Sequence, residues 1–290
     1  MKAGMASRTA QYMALFRALE TTRPANNRLF KDPYAISFLN NKHRLVTRLS
    51  SFSPARKIVE NIIHSKIPGA YSSGLARTKY IDDLLEKAVH NGIQQVIILG
   101  AGFDTRALRL SFLSSIPVIE IDHPSTAKLK LEVLRKKLTT LPANVRYIQT
   151  DFNTESLEEL AVRQSINFSI PTCIIWEGVS NYLDEQAIHR TFSFSSKFVY
   201  PSAIIFTYIH KQVLNEPSAF YGASKLLNDL VAIEEKWTFG FDPAELAGYL
   251  QPFSLVLQED KGALEYRNNY IPGRMEKGYE FYRVAMATKL

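Results

Sequence analysis

The residues best suited to chemistry lie between 99 and 122. Leu99-Gly100-Ala101-Gly102-Phe103-Asp104-Thr105-Arg106 directly follows a β-branched apolar run. Glycines there let the chain turn tightly and let a ligand lie against backbone N–H groups at a strand's carboxyl end. About 20 residues on, Glu120-Ile121-Asp122 closes the next apolar run, a position from which an acid takes both hydroxyls of a ribose. A glycine turn alone is a weak signal, but turn and acid together point to a nucleoside. Thr105 stands where a dinucleotide fingerprint carries its third glycine. That glycine serves close helix–strand approach around a pyrophosphate, so its replacement argues against NAD and for a nucleoside without phosphates.

S-adenosylmethionine is such a ligand. Its adenosine can use the same acid, and its methionine carboxylate needs a cation near the first strand. Arg77, in Ala76-Arg77-Thr78-Lys79-Tyr80-Ile81-Asp82 on the preceding helical stretch, is placed to supply one. Glu177, at the end of another apolar run, would be costly to bury without a partner and reads as a site acid before a structural one. The six histidines, His43, His64, His90, His123, His189 and His210, never show close ligand spacing, so no metal is expected. Cys173, the sole cysteine, excludes an internal disulfide and a multi-thiolate zinc site, and reads as inert core. Two motifs are decoys. Tyr221-Gly222-Ala223-Ser224-Lys225 has the Tyr-x-x-x-Lys spacing of short-chain dehydrogenases but no upstream serine where one is needed. Gly178-Val179-Ser180-Asn181-Tyr182 lacks the second glycine of a hydrolase elbow.

The elements that must hold these residues follow from periodicity. Up to residue 92 the chain reads as helical, at 10–19, 32–39, 54–64 and 74–90, closed by Asn91-Gly92. From residue 93 the texture becomes short β-branched runs at 96–99, 118–121, 145–149, 173–176 and 203–208. Helical stretches at 105–110, 125–138, 156–164 and 184–197 separate them, as in a parallel sheet built of βαβ units. Asp242-Pro243-Ala244-Glu245 supplies an N-cap, a first-turn proline and an acid, opening another helix before strands at 254–257 and 282–287. The last strand, after a long irregular segment rich in Gly, Asn and Tyr, is expected as a reversed edge strand. The expectation is one α/β, Rossmann-like domain with a seven-stranded, mostly parallel sheet. Residues 1–92 form a helical cover, 93–209 the cofactor-binding core, 210–240 an inserted lid too long for a plain connection, and 241–290 the rest of the core.

At 290 residues, 46% hydrophobic and 22% charged, the chain is neither disordered nor membrane-embedded, and its apolar runs are strand-sized. Arg8, Gln11 and Arg17 interrupt what would be the apolar region of a signal peptide, so a cytoplasmic protein is expected. The formal charge of +7 is uneven: residues 1–80 hold 14 Lys and Arg against 3 Asp and Glu, the remainder 21 against 25. A basic segment suits nucleic acid, anionic lipid or an acidic small substrate, and equally a solvated, helix-rich surface with no single partner. With no dense Lys/Arg block, nucleic acid is not favoured, and the basic helices are expected to cover the cofactor and draw in an anionic acceptor.

The ordered set of motifs resembles the leucine carboxyl methyltransferase family and its bacterial relatives, O-methyltransferases associated with polyketide-type metabolites. It comprises Arg23-Pro24, Leu29-Phe30-Lys31-Asp32-Pro33-Tyr34-Ala35, Ala76-Arg77-Thr78, the loop from Gly100 to Arg106, Glu120-Ile121-Asp122 and Thr150-Asp151-Phe152. Trp176-Glu177-Gly178-Val179 with Tyr182-Leu183, and Trp237-Thr238-Phe239-Gly240, complete it. The resemblance implies a class I methyltransferase in which Arg77, with Arg17 as second cation, pairs with the S-adenosyl-L-methionine carboxylate. Gly100 and Gly102 would line the methionine, Asp122 hold the ribose, Asp151 and Phe152 flank the adenine, and Glu177 close the site beneath the amino group. Asp151 has a plainer role open to it, capping the helix that begins near residue 154. The implied reaction is O-methyl transfer to a carboxylate of a small molecule or peptide, which needs no general base. For a phenol or alcohol, His210 or Tyr208 would be the first candidate bases. A tRNA-modifying enzyme of the same family and a non-catalytic cofactor-binding protein are the alternatives.

Overall fold

The computed structural model describes residues 8–151, 155–273 and 276–290. Its centre is a seven-stranded sheet of β1 (Gln95–Leu99), β2 (Val118–Asp122), β3 (Val145–Gln149), β4 (Thr172–Trp176), β5 (Ala203–Ile209), β6 (Leu255–Gly262) and β7 (Tyr282–Lys289), in the order β3-β2-β1-β4-β5-β7-β6. The first five pair in parallel. β1, β4 and β5 are buried at every position, as near-continuous Val/Ile/Leu/Phe runs covered by helices on both faces must be.

Strand β7 runs antiparallel to both neighbours. It is therefore reversed as expected but does not lie at the edge: it is inserted between β5 and β6, and β6 forms the rim. Burial explains the placement, because Val284, Ala285, Met286 and Ala287 are all buried whereas β6 alternates Leu255 with exposed Val256.

Four helices precede the sheet: α1 (Arg8–Thr21), α2 (Asn41–Leu49), α3 (Ser53–Lys66) and α4 (Ala70–His90). The middle of α1 buries Leu15, Phe16 and Leu19 with Tyr71 and Leu75 of α4 in one apolar cluster. The helix expected at 32–39 is only a 3₁₀ turn, Ala35–Phe38, because the Asp32 carboxylate captures the N–H groups of Tyr34 and Ala35. Helix α2, unread from sequence, is opened by Asn40, whose side chain accepts from the His43 N–H.

Crossovers are made by α5 (Arg106–Arg109), α6 (Pro124–Lys137), α7 (Leu157–Arg163) and α8 (Glu185–Ser195). After β5 come two short helices, α9 (Gln212–Asn215) and α10 (Ala223–Ala232), then α11 (Pro243–Leu250), capped by Asp242 as its sequence indicates. Helix α12 (Ala263–Tyr270) lies in the stretch read as irregular. Among the described residues no helix is long and apolar enough to cross a membrane.

Candidate cofactor site

At the carboxyl ends of β1, β2 and β4 lies a cavity of about 440 Å³, a size typical of small-molecule sites. Its floor is the turn leaving β1. Gly100 and Gly102 adopt φ of +64° and +48°, which non-glycine residues reach only with strain. A Cβ on Gly100 would collide with the Val179 side chain, itself part of the cavity wall. Thr105, in the place of the absent third glycine, donates its hydroxyl to Asp32 at 2.6 Å and so ties the loop to the N-terminal cover.

Asp122, last residue of β2, projects at the floor. Its carboxylate accepts the N–H of Gly102 and, at 2.6 Å, that of His123. Burial raises its pKa, against the pull of those two N–H groups. Asp151 lies across from it, 3.9 Å from the His123 ring, and both line the cavity. Phe152 lies outside the described residues. Glu120, two residues before Asp122, is spent on Lys130 at 2.5 Å under α6.

Glu177 leaves β4 into the cavity and is gripped from behind, at 2.9 Å by Arg77 Nε and at 2.8 Å by an Arg106 Nη. Burial pushes its pKa up, but Arg106 and then Arg77 outweigh that, so it stays below the ordinary carboxylate value. Arg77 lies one side chain behind the wall: besides Glu177 it meets Met13 Sδ at 3.3 Å and the Tyr282 ring at 4.6 Å. Arg17 is on the wall, held at 2.8 Å by Asp32 and donating to the Phe103 carbonyl at 2.5 Å. Thus Arg17, Gly100, Gly102, Asp122, Asp151 and Glu177 share one cavity, with Arg77 a layer back.

A buried ionic layer behind the wall was not read from sequence. Asp82 of α4 receives Arg106 at 2.8 Å and Arg109 at 2.6 Å, while Asp104 pairs with Arg106 and is drawn down to a pKa of about 2, the arginine overcoming burial. Its sequence signal was Asp104 and Arg106 bracketing Thr105 directly after the glycines, and an acid at 82 on an otherwise buried helix face.

At the mouth, Thr9, Tyr182 and the segment Glu234-Glu235-Lys236 face the opening. Thr9 donates to Glu235 at 2.6 Å and lies 3.2 Å from the Tyr182 hydroxyl, whose pKa burial pushes up to about 12. The 210–240 segment therefore reaches the cavity through its last part, while Trp237 packs into Phe281 and Tyr282. Two expected bases lie elsewhere. Tyr208 donates to Asp260 at 2.7 Å on β6, and His210 turns toward Phe220; neither lines the cavity. Strand alternation sends Tyr208 into the core face with Trp176 and Phe206.

Five parallel strands, a reversed strand inserted before the last, the glycine turn after β1 and the acid ending β2 define the Rossmann-like class I methyltransferase fold. Solved structures of the same fold include a protein of Thermobifida fusca provisionally described as a methyltransferase (TM-score 0.57, 16% identity, 99% of this chain and 96% of the other). A Streptomyces avermitilis protein of the duf574 family is similar (TM-score 0.57, 13% identity, 98% of both chains). The family profile described as leucine carboxyl methyltransferase matches residues 10–196, and the chain belongs to that family. Relatives provisionally named S-adenosyl-L-methionine-dependent methyltransferases include one of Streptomyces coelicolor, 33% identical over 62% of this chain and 60% of its own length. Another, of Mycobacteroides abscessus, is 32% identical over 62% of this chain and 58% of its own. The matched stretch thus spans about 60% of those relatives.

Proposed function

We propose that this chain is an S-adenosyl-L-methionine-dependent methyltransferase acting on oxygen, with a carboxylate of a small molecule or peptide as acceptor. The observation that carries the reading is the convergence of Gly100, Gly102, Asp122 and Glu177 on one cavity in a chain of the carboxyl methyltransferase family. The residues fit the cofactor by their chemistry. Asp122, already fixed by two N–H groups, keeps lone pairs on both oxygens for ribose hydroxyls. Glu177 offers a charge to an ammonium group. Arg17 on the wall and Arg77 behind it are the cations for a carboxylate, and Asp151 with Phe152 would flank the adenine. Asp104 and Glu177 are balanced by arginines and Arg17 by Asp32.

When bound, S-adenosyl-L-methionine supplies an electrophilic methyl carbon on a sulfonium. The chain's part is to align the acceptor oxygen with that carbon and exclude water. A carboxylate is ionised at neutral pH and needs no base, and Lys236 at the mouth is the cation that would receive it. A second reading, transfer to a hydroxyl, rests on Glu235, which already accepts the Thr9 hydroxyl and could take a proton there. A cytoplasmic location belongs to the same proposal, supported by a single, buried cysteine.

The test is a panel of carboxylic acids, their amides and phenols with labelled methyl donor, beside calorimetry with S-adenosylhomocysteine and NAD. Labelled methyl esters are expected. Tighter binding of NAD overturns the cofactor, labelling of phenols alone moves the acceptor to the second reading, and cofactor binding without transfer to any oxygen acid or alcohol returns the chain to a binding protein.

A further inference from the structure

The basic excess of residues 1–80 does not gather at the cavity. Arg44 and Arg48 of α2 instead converge with Lys136 and Lys137 on a second pocket of about 450 Å³, floored by Ile36 and Val133 and lined by no acid. Helix α6 starts beside the cavity at Pro124 and reaches this pocket with its last turn, so about 18 Å of helix separates the two. A cationic cluster at that remove does not steer a ligand into the cofactor cavity, and it has another neighbour.

That neighbour is an exposed apolar surface on α2, α3 and their connection. Leu45 is 59% exposed, Leu49 51%, Phe52 69%, Ile58 60% and Ile62 50%. On α2 the two leucines form an outward stripe opposite buried Thr47, and at 3.6 residues per turn Lys42 and Arg48 flank it about 60° to either side of Leu45. On α3, Ile58 and Ile62 form a second exposed stripe, and the buried side carries Arg56. The sole acid from 41 to 66, Glu60, is engaged by Arg23. Apolar stripes bordered by cations and neutral polar residues such as Asn41 and Asn61, with no acid on the exposed face, are the pattern of helices that lie in the plane of a bilayer interface. A second copy docking on this face would set like charges against each other.

We propose that the α2–α3 hairpin is a docking face for an anionic lipid surface, with Leu45, Leu49, Phe52, Ile58 and Ile62 entering the interface. The pocket formed by Arg44, Arg48, Lys136 and Lys137 takes the phosphate of a headgroup. The inference is independent of the acceptor assigned above.

The experiment is co-sedimentation of the full chain with vesicles of phosphatidylcholine alone and of phosphatidylcholine with phosphatidylglycerol, at low and high salt. The parent is compared with Phe52→Ser/Ile58→Ser and with Arg48→Gln/Lys136→Gln. All four side chains are exposed, so both variants should keep the parent's circular dichroism and cofactor affinity. Expected are binding to anionic vesicles only, weakening with salt, and a fall of about tenfold in each variant. Equal sedimentation with neutral vesicles, no sedimentation at all, or parent-like binding by both folded variants overturns the proposal. So does a monomer–dimer equilibrium abolished by Phe52→Ser/Ile58→Ser, or an RNA that binds this face in preference to anionic vesicles.

Discussion

Glu177→Gln isolates the ionic layer behind the cavity. Arg77, Arg106 and Arg109 face Asp82, Asp104 and Glu177 in a cluster whose side chains are at most 16% exposed. Three cations balance three anions, and the amide leaves one positive charge uncompensated. Breaking a buried pair costs about 3–5 kcal/mol, and an amide that retains one acceptor recovers part of it, so a loss of about 2–4 kcal/mol is expected at pH 7. In a chain of 290 residues that lowers the melting temperature by about 3–7 °C. The pH dependence carries the signature. Because the folded-state pKa of Glu177 is depressed, its contribution is complete above the unfolded-state value near ~4.3 and is lost as pH falls through the lower folded-state value. Urea unfolding of parent and variant from pH 7 to pH 3 should therefore show a gap that is constant at neutral pH and narrows below about pH 4. A variant as stable as the parent at pH 7, or a gap that persists unchanged to pH 3, would refute the assignment of Glu177 as the ionised partner of the two arginines.

Three further outcomes are expected. Asp122→Ala should weaken S-adenosylhomocysteine binding by about 1–3 kcal/mol in calorimetry, through loss of charge-assisted hydrogen bonds to the ligand, and also lower the melting temperature, because the Gly102 and His123 N–H groups lose their acceptor. Gly100→Ala, forced into φ of +64° and against Val179, should cost about 1–3 kcal/mol of stability by urea titration and also weaken cofactor binding; unchanged stability and affinity would show that the floor tolerates a side chain. Thr105→Val removes the hydroxyl donated to buried Asp32 and should cost about 1–2 kcal/mol, read as an earlier urea midpoint with unaltered slope.

Strands β1, β2, β4 and β5 were legible because each is a short run rich in β-branched or apolar residues and buried almost throughout, and β3, whose Arg146 is exposed, because Val145 and Ile148 stay buried. The place of β7 was not, because pairing across the sheet is a long-range choice that its own composition leaves open. Helix α12 was hidden by the Gly and Asn around it; it is opened by the Gly262 N–H donating to Glu265 at 2.7 Å and held by Arg267 bonding the Glu276 carbonyl at 2.6 Å. In the site, glycines and the strand-end acid Asp122 announce themselves by position, since their role follows from one turn and one spacing. The partners of Glu177 come from α4 and α5, and no local pattern states that Arg77 meets Glu177 rather than a ligand. Thr105 was read for the glycine it replaces, whereas its function lies in the hydroxyl it gives to Asp32.

The insertion of β7 between β5 and β6 orders the events of folding. During synthesis β5 is complete some seventy residues before its neighbour emerges, and β6 is made with no strand to pair with until β7 arrives. The apolar edge of β5 and the whole of β6 must therefore wait as unpaired strand surface, the state in which nascent chains aggregate. The five-stranded parallel part can assemble first, but closure of the sheet is postponed to the arrival of 282–289. Those residues are thus the last part of the sheet to be synthesised: in a chain stalled before them, the edges of β5 and β6 that β7 joins have no partner strand.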